Sequence, residues 1–235
     1  MLMRHEAVGG GASDVDAIVA RLETEIVEGR YLPGARLREQ ALAETLGVGR
    51  APLREAVRVL EGRRMIERTP NAGVRVADPS VDDLEQMLVV REGLEGLAAR
   101  EAAGRIGVAG LARLREISAR IARLDAAGPA GTAEVFRGSA DGDFHRSIAQ
   151  ESGNRWLVQL LCDDLYPLIR LFRFRAALLR PDRARTHAEH DAIIARLQAR
   201  DAAGAERLMR EHVRASRERL IGHLRAAEAE VRRAG

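Results

Sequence analysis

The run Leu46-Gly47-Val48-Gly49-Arg50-Ala51-Pro52-Leu53-Arg54-Glu55-Ala56 joins two short helical patterns through a tight turn that contains glycine. Upstream, Glu39 to Leu46 reads as a short helix closed by Gly47. Downstream, Arg50 to Gly62 sets Leu53, Val57 and Leu60 on one face. Two short helices around such a turn predict a helix-turn-helix. Working outward, Asp14 to Val27 carries Val15, Ile18, Val19, Leu22 and Ile26 at helical spacing, and Pro33-Gly34 makes a turn after it. On the far side, Met65 to Thr69 and Val74 to Ala77 read as two short strands around the turn Pro70-Asn71-Ala72-Gly73, the outline of a wing. Residues 1–13, with Gly9-Gly10-Gly11-Ala12-Ser13, are expected to form a disordered lead.

Asp78-Pro79 interrupts the pattern, and Ser80 followed three residues later by Asp83 resembles a capping box opening a new helix. The spacing therefore predicts a winged helix-turn-helix over 14–78 and a second domain over 79–235. Six helices are expected there, at about 81–103, 108–126, 133–151, 154–179, 182–199 and 202–232, with no strand signal among them. The fold class is mainly α, its second domain an antiparallel helical bundle.

A chain of 235 residues accommodates two such domains without disulfide staples. The single cysteine, Cys162, excludes an internal disulfide framework, fits a reducing compartment and reads as a small core residue. No basic segment precedes an apolar leader, and charges interrupt every apolar stretch, so a soluble cytoplasmic protein is expected. The formal net charge is only +3, but every cation is an arginine and their distribution is uneven. Arg36 to Arg75 holds nine arginines against five acids, whereas Asp14 to Arg30 holds two against five. Positive charge lies where a DNA-facing surface needs it.

The segment from Pro33-Gly34 through Leu37, Leu42-Ala43-Glu44 and Leu46 to Ala56, ending on Leu60-Glu61, resembles the GntR family of bacterial regulators. That resemblance implies that Arg50 and Arg54 open the recognition helix and contact the operator, and that Gly73 sits at the wing tip. Helical geometry agrees, since residues four apart share a face, and arginine can bond guanine bidentately or clamp phosphate. Gly49 and Ala51 occupy DNA-facing positions where the family usually has Ser and Thr. Glycine still serves as an N-cap. Ala72 stands where the wing commonly carries arginine. Arg38 is a further candidate for phosphate contact, while Arg58, Arg63, Arg64 and Arg68 suit solvent or ion pairs equally well.

The second domain resembles the FadR-type C-terminal ligand domain, FCD. The match rests on Arg91, Leu94-Glu95, Asp141-Gly142-Asp143-Phe144-His145, Ser152-Gly153-Asn154, and the series His190, Ile193, Asp201, Ala205, His212. In metal-binding members one Asp and three His are ligands, which implies Asp141, His145, His190 and His212 here. Spacing supports an inward set: Asp141 and His145 lie one turn apart beside Phe144 and Ile148, and His190 and His212 align with apolar neighbours. A lone histidine on an apolar face is ordinarily a satisfied core residue. Buried together, these groups call for a shared partner, which a divalent ion (Zn, Ni, Mn, Co or Fe) supplies. His5, His187 and His223 are expected at the tail, the surface and the bundle edge.

Arg91 falls within the apolar stripe Leu84, Met87, Leu88, Leu94 and Ala98, so it needs an anion. Glu95, one turn on, is a structural partner; a ligand carboxylate is the functional alternative. Resemblance to acid-binding members adds Thr186 and Arg219 as ligand contacts. The leading expectation is a homodimeric regulator, not an enzyme, whose affinity for a pseudo-palindromic DNA operator responds to a small organic acid. Two alternatives stand beside it: a purely structural metal with no effector, and a metal-dependent hydrolase fused to a DNA-binding module. Asp143 and Glu189, the spare carboxylates a hydrolase would need, are expected off the inward face.

Overall fold

The computed structural model describes residues 11–69, 73–126, 140–169 and 183–234, and the chain divides after Ala77 into two compact units. In the first, α1 (Gly11–Val27) buries Ile18, Val19, Leu22 and Ile26, the face that its spacing indicated. It starts at Gly11, three residues inside the stretch expected to be an irregular lead. Residues 1–10, with His5, lie outside the described part. Helices α2 (Glu39–Leu46) and α3 (Arg50–Gly62) flank the turn, with Gly47 at φ 68° in the left-handed conformation that glycine adopts without a steric penalty. Leu42 and Leu46 of α2 pack in the same core as Leu53, Val57 and Leu60 of α3.

The wing is a three-stranded antiparallel sheet, not a bare hairpin. Strands β2 (Ile66–Thr69) and β3 (Gly73–Val76) pair antiparallel, with Ile66 opposite Val76. A two-residue strand β1 (Arg36–Leu37), which the pattern was too short to announce, adds to the other edge of β3. Residues 70–72, the expected wing turn, lie outside the described part.

The second unit opens as expected: Ser80 Oγ accepts from the Asp83 amide and the Asp83 carboxylate accepts from the Ser80 amide, closing a capping box on α4 (Val81–Arg105). There follow α5 (Val108–Ala126), α6 (Ala140–Glu151), α7 (Arg155–Val158), α8 (Arg183–Gln198) and α9 (Ala202–Ala234). Alanines 99, 102 and 103 of α4 let neighbouring helices approach closely, and Phe144, Ile148, Ile193, Leu197, Met209 and Val213 fill the core they share. The helix expected over 154–179 departs from regularity. After α7 the chain turns through a π-helix, Gln159–Leu165, and stays helical over 166–169. Such wide turns gather at functional sites, and this one leads directly to Tyr166.

Candidate functional site

The core of the second unit contains an unusual polar island. His145 on α6, His190 on α8 and His212 on α9 are each at most 2% exposed, and their ring nitrogens converge within 4.8 Å of one another. Nε2 of His212 lies 3.3 Å from Nε2 of His190 and 3.4 Å from Nε2 of His145. Phe144 stacks on His190, ring centroids 3.8 Å apart, and fixes the plane of that imidazole.

Two carboxylates set the protonation of the rings. Glu95 Oε2 lies 2.5 Å from His145 Nδ1, and Glu189 Oε2 lies 2.8 Å from His212 Nδ1. A carboxylate accepts, so Nδ1 of each ring donates and each Nε2 keeps a lone pair. Neutral imidazoles so arranged turn acceptor toward acceptor at 3.4 Å, with no proton between them. Two nitrogens bound to one first-row ion at about 2.0–2.1 Å stand roughly 2.9–3.4 Å apart. The separations and the donor set therefore fit a divalent cation. Asp141 lies one turn before His145 on α6, but its side chain is outside the described part.

Glu95 also ties in Arg91. Arg91 Nε donates to Glu95 Oε1 at 2.5 Å, and both side chains are at most 3% exposed. Burial works to raise the Glu95 pKa, but the charge of Arg91, the neighbouring His145 ring and the hydrogen bonds from both outweigh it and hold the carboxyl well below its ordinary value. The Tyr166 ring lies 5.7 Å from the Arg91 guanidinium carbon. Its phenol is pushed well above the ordinary range by burial and by the Glu95 charge, and it closes no hydrogen bond of normal geometry among the described residues. Thr186 on α8 and Arg219 on α9 are half-buried, and neither belongs to the converging imidazoles.

Two expectations need correction. Glu189 was expected off the inward face; it reaches from α8 to the ring of His212 because the two helices pack side by side, which register along one helix cannot reveal. His187 was expected at the surface but is half-buried, its Nδ1 2.9 Å from the buried Ser118 Oγ of α5, which also donates to Asp191. His223 is exposed and Cys162 is buried, as expected.

In the first unit, Gly49 caps α3 with extended backbone and no side-chain bond, and Arg50, Ala51 and Arg54 project into solvent from its first turns. Arg54 Nε reaches Glu39 at 3.3 Å while remaining 68% exposed. Arg58 pairs with Glu55, Arg63 with Glu23, and Arg68 with Glu39 and Glu61. Arg38 is exposed at the N-cap of α2, and Gly73 opens β3 at φ 86°.

A helix-turn-helix with a wing, joined to a helical unit built around a polar pocket of histidines, defines a DNA-binding transcription regulator. A family profile described as bacterial regulatory proteins, gntR family, matches residues 15–76, and one described as FCD domain matches residues 86–215. The chain belongs to the gntR family, with an FCD domain as its second unit. It is 28% identical over 199 residues to the HTH-type transcriptional repressor GlaR of Escherichia coli, covering 82% of this chain and 89% of that one. A probable D-xylose utilization operon transcriptional repressor of Paenarthrobacter nicotinovorans is 31% identical over 135 residues, 57% of this chain and 58% of its own. The E. coli McbR/YncC structure shares the fold, with a TM-score of 0.77 at 21% identity over 91% of this chain and 99% of that one. These families and relatives are regulators, not enzymes, which removes the hydrolase reading. No helix among the described residues is long and apolar enough to cross a membrane.

Proposed function

We propose that this regulator, as a homodimer on a pseudo-palindromic operator, changes its DNA affinity when a small organic acid binds at a divalent ion held by His145, His190, His212 and Asp141. The observation that carries the reading is the meeting of imidazole nitrogens from three helices, with the Nδ1 protons of His145 and His212 committed to Glu95 and Glu189. When bound, the ion would supply positive charge and an open position for a carboxylate, whichever of Zn, Ni, Mn, Co or Fe it is. Glu95 and Glu189 orient the imidazoles, and Phe144 stiffens His190.

Arg91 offers the acid a charge-assisted partner. It already engages Glu95, so an incoming carboxylate shares or exchanges that guanidinium and couples α4 to α6 through the Arg91, Glu95, His145 chain. Thr186 and Arg219 complete the ligand contacts in this reading. A ligand shifts an equilibrium only through contacts that differ between states, and this chain of hydrogen bonds provides them. That one relative is named as a repressor of a sugar-utilization operon is in keeping with a metabolite effector. In the first unit, Arg50 and Arg54 read base edges, while Gly49, Ala51, Arg38 and Gly73 lie along the DNA.

The test combines metal analysis, a thermal-shift screen of organic acids, and operator titration with and without the acid that scores. His190→Ala is expected to lose metal and effector response while still binding DNA. Arg91→Ala is expected to keep metal and lose the acid. An unchanged response in His190→Ala would overturn the metal-centred reading. Metal without any responding acid would leave the ion a structural role.

A further inference from the structure

The outer face of the wing sheet carries two arginines that have no role so far. Arg36 of β1 is the cross-strand partner of Arg75 of β3, and both are exposed. Their neighbours Leu37, Val74 and Val76 are buried, so strand alternation turns both arginines away from the core. Like charges placed directly opposite on a sheet are destabilising. Glu67 faces Arg75 from β2 and leaves the trio net positive. Among the described residues no carboxylate closes an ion pair onto Arg36 or Arg75, in contrast to Arg54, Arg58, Arg63 and Arg68. A cationic pair that costs stability and closes no ion pair among the described residues suits an external anion.

The Arg36 side chain also has a direction. Its Nε and Nη2 lie 3.7 Å from where a Cβ on Gly73 would stand, so the guanidinium extends along the sheet to the first residue of β3.

We propose that Arg36, with Arg75 beside it, forms a clamp on the DNA phosphate backbone that is indifferent to sequence. The inference rests on the DNA-binding reading of this unit and adds to it residues and a mode of contact. Phosphate contacts fix register and add affinity without reading bases. Their signature is salt dependence, because each neutralised phosphate releases condensed counterion.

The experiment uses the full chain, a short random-sequence duplex, and a site that the wild-type protein selects from a randomised duplex pool. Arg36→Ala is expected to lower the slope of log K against log salt by about 0.9 for each phosphate that the variant no longer neutralises, about twice that for a two-fold assembly. The fall in affinity should be the same on both duplexes, leaving their affinity ratio unchanged, and Arg36→Lys should restore most of it. Arg50→Ala, by contrast, should reduce the ratio. Arg75→Ala gives a second arm should Arg36→Ala fail to give a folded protein by thermal melt. A wild-type slope in folded Arg36→Ala, alongside a diminished preference in Arg50→Ala, overturns the clamp and leaves DNA reading intact. A wild-type chain that selects no site and binds the random duplex without salt dependence overturns both.

Discussion

Nε2 of His145 faces Nε2 of His212 across 3.4 Å, and each ring turns its Nδ1–H to a different carboxylate. The pair is thus oriented from outside: Glu95 on one flank and Glu189 on the other fix the tautomer that turns the two Nε2 atoms toward each other. An apolar core offers nothing to relieve that repulsion, and a cation does.

Replacing Glu95 by Gln tests the flank directly. Loss of a carboxylate behind a ligating imidazole lowers metal affinity by about 10–100-fold, to be read by competition with a chelator. Arg91 would lose its counter-charge in a buried site, a loss of about 3–5 kcal/mol when one partner of a buried pair is removed, to be read by denaturant melting. Unchanged metal affinity would show that Glu95 serves Arg91 alone.

The recognition helix makes a separate prediction. Arg50→Ala should weaken binding to a selected operator by about 1–3 kcal/mol, the value of one good bidentate base contact, and leave the melting temperature near wild type because Arg50 is exposed. Equal affinity in a gel shift would move base reading elsewhere.

Much of this was legible because local chemistry decides it. Gly47 and Gly49 around Val48 fixed the helix-turn-helix, Ser80 with Asp83 fixed the start of α4, and helical register turned His145, His190 and His212 inward. What escaped depends on neighbours. Glu189 sits beside His190 in sequence but serves His212, because the packing of α8 on α9 chooses its target. His187 is half-buried because Ser118, far away in the chain, meets it. Strand β1 spans two residues and exists only because β3 offers an edge.

The capping box at the head of α4 is a stability element with a measurable value. Ser80→Ala removes the acceptor for the Asp83 amide and should cost about 1 kcal/mol, seen as a lower denaturation midpoint with an unchanged slope. No loss would mean that the helix start is held by packing alone.

Cys162 makes a prediction about reactivity. Burial pushes its thiol up to about 11, with the charges of Arg146 and Asp163 acting in opposite directions. A raised value favours the neutral thiol, so at pH 7 only roughly one molecule in ten thousand is the thiolate that reacts. Alkylation of the folded protein by iodoacetamide should be slow near neutrality and quicken as pH rises toward 11, while denatured protein labels at once. Fast labelling at pH 7 in the native state would contradict the buried position.

The π-helix between Gln159 and Leu165 behaves as a phase shift within the helix. A wide turn holds one residue more than a regular one, and each residue of an α-helix advances the face by about 100°. Everything C-terminal to it is therefore rotated relative to α7, and Tyr166 meets Arg91 only in that rotated frame. Tightening the segment into a regular α-helix with every residue kept would swing Tyr166 about a quarter-turn off Arg91 and leave composition, charge and hydrophobic content untouched. The winding of this stretch thus matters as much as residue identity, and the same residues wound regularly would present a different wall to Arg91 and Glu95.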